Sequence, residues 1–158
     1  MSASTTTLTM VSDEEIAISR AFDAPRQLVF EAHTNPEHVS QWLLGPEDWT
    51  MPVCEIDLRP GGSWHFVWQH ADGRRLDMSG VYREIVSPER IINTERWGPE
   101  WPETTNTMLF TERDGETTVT QIIRYPSKEA RDAALATGMM SGVERSYDLL
   151  DALLRKQR

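Results

Sequence analysis

Residues 51–125 alternate apolar and polar side chains and are interrupted four times by pairs of turn-forming residues. The pairs are Gly61-Gly62, Asp72-Gly73, Ser87-Pro88 and Asp114-Gly115. Successive side chains of a strand point to opposite faces, so this pattern predicts consecutive antiparallel hairpins. The predicted strands are Val53–Leu58, Ser63–Gln69, Leu76–Ile85, Ile91–Trp97, Thr104–Glu112 and Thr117–Tyr125. A sheet of this size requires another element to cover its apolar face.

A covering helix follows the meander directly. Apolar residues recur there at helical spacing, at Leu135, Met139, Val143, Leu150 and Leu153. Ser127 is suited to cap the start of this region. Gly138 and Gly142 predict a division into one short and one long helix.

The part of the chain before the meander predicts one strand and two short helices. Ile16, Ile18 and Phe22 alternate as in a strand with one covered face. Asp23 and Asn35 each precede a proline near the predicted start of a helix. We therefore expect residues 1–12 to be a flexible leader and residues 13–158 to be a single α+β domain. Its curved antiparallel sheet of six or seven strands would wrap around the C-terminal helix.

Charge and composition argue against several classes of function. The chain has 158 residues, with 16 Lys and Arg against 25 Asp and Glu, which gives a net charge of −9. This charge disfavours nucleic acid and anionic lipid as partners, and no apolar run reaches the roughly 20 residues of a membrane span. The lone Cys54 and the spacing of the four histidines predict no metal site, and no cofactor motif is present. A reducing, cytoplasmic setting fits best, and exposed strand edges leave a homodimer open.

Several motifs in order carry a resemblance to a known family. They are Ala24-Pro25-Arg26, Val29-Phe30-Glu31-Ala32, Asn35-Pro36-Glu37-His38, Asp57-Leu58-Arg59-Pro60-Gly61-Gly62, Gly80-Val81-Tyr82-Arg83-Glu84-Ile85 and Pro88-Glu89-Arg90-Ile91. Together they resemble the bacterial family named after the C-terminal domain of the activator of the heat-shock protein 90 ATPase. That family lies within the START-like, polyketide-cyclase-like (SRPBCC) superfamily. The resemblance runs from about residue 16 to about residue 154 and implies the helix-grip fold.

An unusual number of tryptophans predicts an aromatic cavity between sheet and helix. The chain has six, concentrated between residues 42 and 101. Large rings give a pocket both its shape and its apolar area, although each could instead fill a solid core. The predicted ligand-binding residues are Trp42, Trp49, Trp64, Phe66, Trp68, Met78, Tyr82, Trp97, Met139 and Val143. Gly80 lies within this face, where it would either make room for a ligand or mark a bend of the sheet.

Glu84 is a candidate polar group at this cavity. It would share the face of Tyr82 if no bulge intervenes between them. A carboxylate there would be a candidate acid, base or polar anchor, because burial without a partner perturbs its charge. The alternative is an ion pair with an arginine such as Arg90 or Arg96.

His33 is the second candidate, as a proton carrier projecting from the first helix toward the mouth of the cavity. In many members of the resembled family this position carries Trp. Glu95 and Asp57 are further candidates for the role considered for Glu84, that of an acid, base or polar anchor at the cavity.

Three hypotheses for function follow. The first is binding of a small hydrophobic ligand between the sheet and the C-terminal helix. The second is a polyketide cyclase-like enzyme acting on a carbonyl compound. The third, which rests on the family name alone, is a co-chaperone-like role in the stress response, as a regulator of the heat-shock protein 90 ATPase. Whether the chain is an enzyme stays open at this point.

Overall fold

The computed structural model describes residues 5–157, which form eight strands and four helices. The strands are β1 (Thr7–Met10), β2 (Glu15–Phe22), β3 (Trp49–Ile56), β4 (Ser63–His70), β5 (Arg75–Val86), β6 (Arg90–Trp97), β7 (Thr104–Arg113) and β8 (Glu116–Arg124). The helices are α1 (Arg26–Thr34), α2 (Pro36–Trp42), α3 (Lys128–Ala136) and α4 (Met139–Lys156).

The strands form one antiparallel sheet in the order β1-β2-β8-β7-β6-β5-β4-β3. Each hairpin of the predicted meander is present, and the first strand of the domain joins the last strand of the meander. The sheet curves around α4, while α1 and α2 close one end. The predicted helix-grip fold of the α+β class is confirmed, with eight strands rather than six or seven.

The additional strand corrects the predicted leader. Thr7–Met10 pairs with β2 in the register Thr7↔Ser19, and the two hydroxyl oxygens of that pair lie 3.0 Å apart. Without β1, β2 would be an edge strand with unpaired backbone N–H and C=O groups. The alternating Thr-Leu-Thr-Met segment of β1 forms hydrogen bonds with these groups. Residues 1–4 of the predicted leader lie outside the described residues.

Local capping signals explain where the helices begin. The Asn35 side chain accepts from the backbone nitrogen of Glu37 at 3.0 Å, and Ser127 caps α3 through Ala130, as predicted. For α1 the prediction of Asp23 as N-cap is wrong, because Pro25 holds that position. The carboxylate of Glu112 on β7 instead accepts from the first helical N–H, at 2.8 Å.

The C-terminal helical region is broken once. Gly138 adopts a left-handed conformation with φ of 79°, which only glycine accepts easily, and it separates α3 from α4 as predicted. Gly142 does not break the helix. A Cβ there would lie 3.1 Å from Cδ of Pro46, so this glycine lets α4 approach the segment that follows α2.

The C-terminal half of α4 anchors the helix to the sheet. Leu150 and Leu154 are buried, and the ring of Tyr147 meets that of Phe22 edge-on at 5.4 Å. Arg20 on β2, itself buried, donates to Asp148 on α4 at 2.7 Å. None of the described helices combines the length and the apolar character that crossing a bilayer requires.

Candidate functional site: an aromatic cavity between sheet and helix

A cavity of about 820 Å³ lies between the concave face of the sheet and the N-terminal half of α4. All ten residues predicted to bind a ligand line it. They are Trp42, Trp49, Trp64, Phe66, Trp68, Met78, Tyr82, Trp97, Met139 and Val143. The sheet and helix therefore do not interdigitate fully, and the space between them is not filled by side chains.

The aromatic wall is a continuous row on β4 that extends onto β6. Trp64 and Phe66 lie 4.8 Å apart, Phe66 and Trp68 5.8 Å apart, and Trp68 stacks on Trp97 at 5.2 Å. The indole of Trp68 donates to the carbonyl of Leu43 at 2.7 Å. These contacts hold the rings of Phe66, Trp68 and Trp97 against one another in the wall.

Gly80 serves the sheet rather than the cavity. A Cβ at this position would lie 1.9 Å from the carbonyl oxygen of Thr94 and 2.8 Å from Cε2 of Trp64. The neighbouring strand and the indole already occupy that space. The interpretation that Gly80 makes room for a ligand is wrong, and the close approach of β5 to β6 explains the glycine.

Glu84 does not reach the cavity. The register of β5 on β6 shifts between Tyr82 and Glu84, which turns the carboxylate away from the concave face. Arg90 donates to it at 2.5 Å, and both side chains are about 40% exposed. The alternative of an ion pair with Arg90 is therefore correct, and Glu84 is not a cavity acid or base. Asp57 is also exposed and pairs with Arg59 at 2.9 Å.

Glu95 is one of three carboxylates that line the cavity, with Asp77 and Glu100. Its Oε1 accepts from the indole nitrogen of Trp97 and its Oε2 from the amide of Asn106, both at 3.1 Å. The amide of Gln121 in turn donates to the oxygen of Asn106 at 2.8 Å. This polar strip crosses β6, β7 and β8 within a mainly apolar wall.

The surroundings of Glu95 change its acidity. Burial in the cavity wall raises the pKa of this carboxyl from 4.5 to about 7, and the two hydrogen bonds from Trp97 and Asn106 act in the opposite direction. The group therefore titrates near neutral pH. No Lys, Arg or His among residues 5–157 forms an ion pair with it.

Sequence reasoning named Glu95 but missed Asn106 and Gln121. The signal was available, because Ile91, Asn93, Glu95 and Trp97 occupy one face of β6, with the two polar residues between the two apolar ones. The neighbouring strands could not be aligned with this face until the registers Asn93↔Asn106 and Asn106↔Ile123 were known.

His33 on α1 lines the cavity. Its Nδ1 lies 2.8 Å from the carbonyl oxygen of Val29, so Nδ1 carries the proton. Its ring meets Trp42 at 4.8 Å and Phe110 at 5.1 Å. Burial lowers the pKa of His33 to about 4, and the imidazole is neutral at physiological pH.

The segment after α2 is hydrogen-bonded to α4 beside the cavity. The hydroxyl of Ser146 accepts from the backbone nitrogen of Gly45 at 2.9 Å, and Arg145 donates to the carbonyl of Gly45 at the same distance. Several residues that line the cavity are exposed at the protein surface. They include Leu76, Trp97, Trp101 and Thr137.

Other chemistry-bearing groups lie apart from this site. Cys54 sits beside the core, where burial raises the pKa of its thiol to about 11, which disfavours a nucleophilic thiolate. In the part of the chain that the structure describes, no three His, Cys, Asp or Glu side chains cluster as metal ligands do.

These features define a helix-grip protein with an aromatic internal cavity. A family model described as Activator of Hsp90 ATPase homolog 1-like protein matches residues 23–155, and the chain belongs to this family. No curated protein matches the chain.

Solved structures share the fold over nearly the whole length. A protein from Rhodobacter sphaeroides aligns with a TM-score of 0.91 and 27% identity, over 96% of this chain and 98% of that one. A protein from Mycobacterium smegmatis aligns with a TM-score of 0.82 and 25% identity, over 94% and 97%. One from Nitrosomonas europaea aligns with a TM-score of 0.83 and 24% identity, over 94% and 98%.

Proposed function

We propose that this protein binds a small, largely hydrophobic ligand between the sheet and α4. The observation that carries the proposal is the cavity of about 820 Å³ with its row of aromatic rings. Sites for small organic ligands usually measure about 300 to 1,000 Å³ and combine an apolar lining with a few polar groups. This cavity has that size and that composition.

Binding free energy would come mainly from apolar surface removed from water, at about 25 cal/mol per Å². The wall is fixed in advance, since Trp42 and Trp68 each donate an indole hydrogen bond to a backbone carbonyl. A preformed wall reduces the entropy lost when the ligand binds. The polar strip of Glu95, Asn106 and Gln121 would orient the ligand.

Two measurements on the purified protein test this proposal. Native mass spectrometry detects a co-purified ligand, and titration with diphenylhexatriene detects binding of a neutral apolar probe by its fluorescence. We expect a bound small molecule, a saturable signal with one site per chain, or both. Absence of both would contradict the proposal.

A matched pair of variants locates the bound probe. Val143 on α4 lines the cavity, whereas Val81 on β5 lies outside it and is 42% exposed. Val143→Trp should fill the cavity and weaken probe binding at least tenfold, while Val81→Trp should leave binding unchanged. Far-UV circular dichroism and cooperative urea unfolding establish that both variants are folded. Equal binding by the two variants would place the probe elsewhere.

A further inference from the structure

We propose that the ligand of this cavity carries a protonated amine, which forms an ion pair with Glu95 while its apolar part lies along the aromatic wall. This inference rests on the proposed ligand-binding function and goes beyond it by naming the class of ligand.

The charge of the lining favours a cation. Its acidic residues are Asp77, Glu95 and Glu100, and its one Arg or Lys side chain among the described residues is the exposed Arg75. No cationic side chain of residues 5–157 bonds to Glu95. The charged form of a carboxyl group in such surroundings needs a positively charged partner. Since no side chain of the described residues supplies one to Glu95, a cationic ligand would.

The carboxylate is held with room for another donor. Trp97 bonds to one oxygen and Asn106 to the other, so each oxygen accepts one hydrogen bond in the described structure. A carboxylate has about four lone-pair sites. Gln121 fixes the amide of Asn106 with its nitrogen toward Glu95, which keeps Asn106 a donor to the carboxylate. The remaining sites suit the N–H groups of an ammonium ion.

The neighbouring rings add to this preference. Trp97 donates to Glu95 through the edge of its ring and also stacks on Trp68, so two indole rings lie near the carboxylate. The face of an indole ring attracts cations within about 6 Å of its centre. An anionic ligand would place a second negative charge beside Glu95 and is disfavoured by the same geometry.

Proton linkage follows from the acidity of Glu95. Its carboxyl titrates near pH 7, so only about a tenth is charged at pH 6 and about nine tenths at pH 8. An alkylammonium ion, with a pKa of about 9 to 10, is charged at both values. Binding of the cation to the carboxylate should therefore strengthen about tenfold from pH 6 to pH 8.

Other ionisable groups also face the cavity, from every element around Glu95. Arg75, Asp77 and Tyr82 come from β5, Glu100 from the connection of β6 to β7, Tyr125 from the end of β8, Tyr147 from α4 and His33 from α1. Burial keeps His33 and the three phenols neutral between pH 6 and pH 8. The carboxylate of Asp77 bonds to the exposed His65, whose pKa is raised by that contact. A Glu95 variant separates the contribution of Glu95 from this pair.

The test compares three probes of the same shape that differ in charge: naphthylmethylamine, naphthylmethanol and naphthoic acid. Binding is measured by isothermal titration calorimetry at pH 6 and pH 8 to the wild type, Glu95→Gln and Glu84→Gln. The last is a matched control, because Glu84 lies outside the cavity. We expect the amine to bind at least tenfold more tightly than the alcohol at pH 8, and the acid most weakly.

The variants and the pH dependence separate failure of the amine proposal from failure of the ligand-binding proposal. Glu95→Gln should remove both the preference for the amine and its rise with pH, and Glu84→Gln should keep both. If the alcohol binds as tightly as the amine, or the preference survives in Glu95→Gln, the amine proposal is wrong while ligand binding stands. If none of the three probes binds, the amine proposal is wrong, and ligand binding fails with it only when native mass spectrometry and the diphenylhexatriene titration are negative as well.

Discussion

The amide nitrogen of Asn106 lies 3.1 Å from Oε2 of Glu95, and this hydrogen bond links β7 to β6 across the concave face of the sheet. The two residues are diagonal neighbours, since Glu95 pairs with Thr104 and Asn106 with Asn93. The bond places a polar contact inside a wall built mainly from aromatic rings. It also lowers the pKa of the carboxyl, against the larger effect of burial.

Asn106→Leu should make Glu95 a weaker acid. The substitution removes a hydrogen bond that favours the charged form, so the pKa of Glu95 should rise above about 7. A carbon-13 NMR titration of the glutamate carboxyl groups measures this directly. Asn93→Leu is the matched control, because Asn93 donates to the backbone of Thr94 rather than to Glu95. An unchanged or lower pKa in Asn106→Leu would contradict the assigned contact.

Glu95→Gln should stabilise the protein at alkaline pH. The pKa of Glu95 is higher in the folded chain, at about 7, than its ordinary value of 4.5. The folded state thus prefers the neutral carboxyl, and this contribution to stability is present below about pH 4.5 and lost as the pH rises through 7. Glutamine resembles the neutral form, so the gain should approach about 3 kcal/mol at pH 8 and vanish near pH 4. Urea unfolding across this range measures it, and a variant that is less stable at pH 8 would contradict the account.

His33 should impose the opposite dependence on pH. Its pKa is about 4 in the folded chain against an ordinary value of 6.5, so the unfolded chain binds the proton more readily. The stability that this group contributes is present above about pH 6.5 and is lost as the pH falls through 4. In His33→Phe this loss, of about 3 kcal/mol, should be absent. Chemical denaturation of the wild type and the variant at several pH values tests this, and parallel curves for the two proteins would refute it.

Gly80→Ala should destabilise the sheet by about 2 kcal/mol or more, because a Cβ there meets a backbone oxygen that cannot move independently. Equilibrium unfolding in urea gives the change in free energy. The neighbouring Ser79 is exposed on the same strand, and Ser79→Ala should have little effect. Similar stability for the two variants would show that β5 and β6 are not as close at Gly80 as described.

The fold could be predicted because its signals are local. Turn pairs, alternation and capping residues depend on neighbours in the chain, and Asn35 and Ser127 cap helices as these rules require, whereas Asp23 does not. The apolar wall followed from the same alternation. The pairing of Thr7–Met10 with β2 is also a local hairpin, but it was missed because residues 1–9 are rich in Ser and Thr and no Gly- or Pro-containing turn pair marks residues 11–14.

The polar part of the site could not be predicted in this way. Glu84 and Glu95 both lie on meander strands, and alternation alone favoured Glu84. The bulge after Tyr82 reverses that choice, and it arises where β5 and β6 shift register. The contact of Glu95 with Asn106 and Gln121 depends on three strand registers at once. Such registers depend on turn lengths and bulges, which the alternation of side chains alone does not reveal.

The most direct test of the central claim is a crystal structure of the protein grown with diphenylhexatriene. We predict electron density for the probe between the concave face and α4, in contact with Trp64 and Val143. A structure in which side chains fill this space, with the probe absent or bound only on the outer surface, would contradict the claim that the cavity binds a hydrophobic ligand.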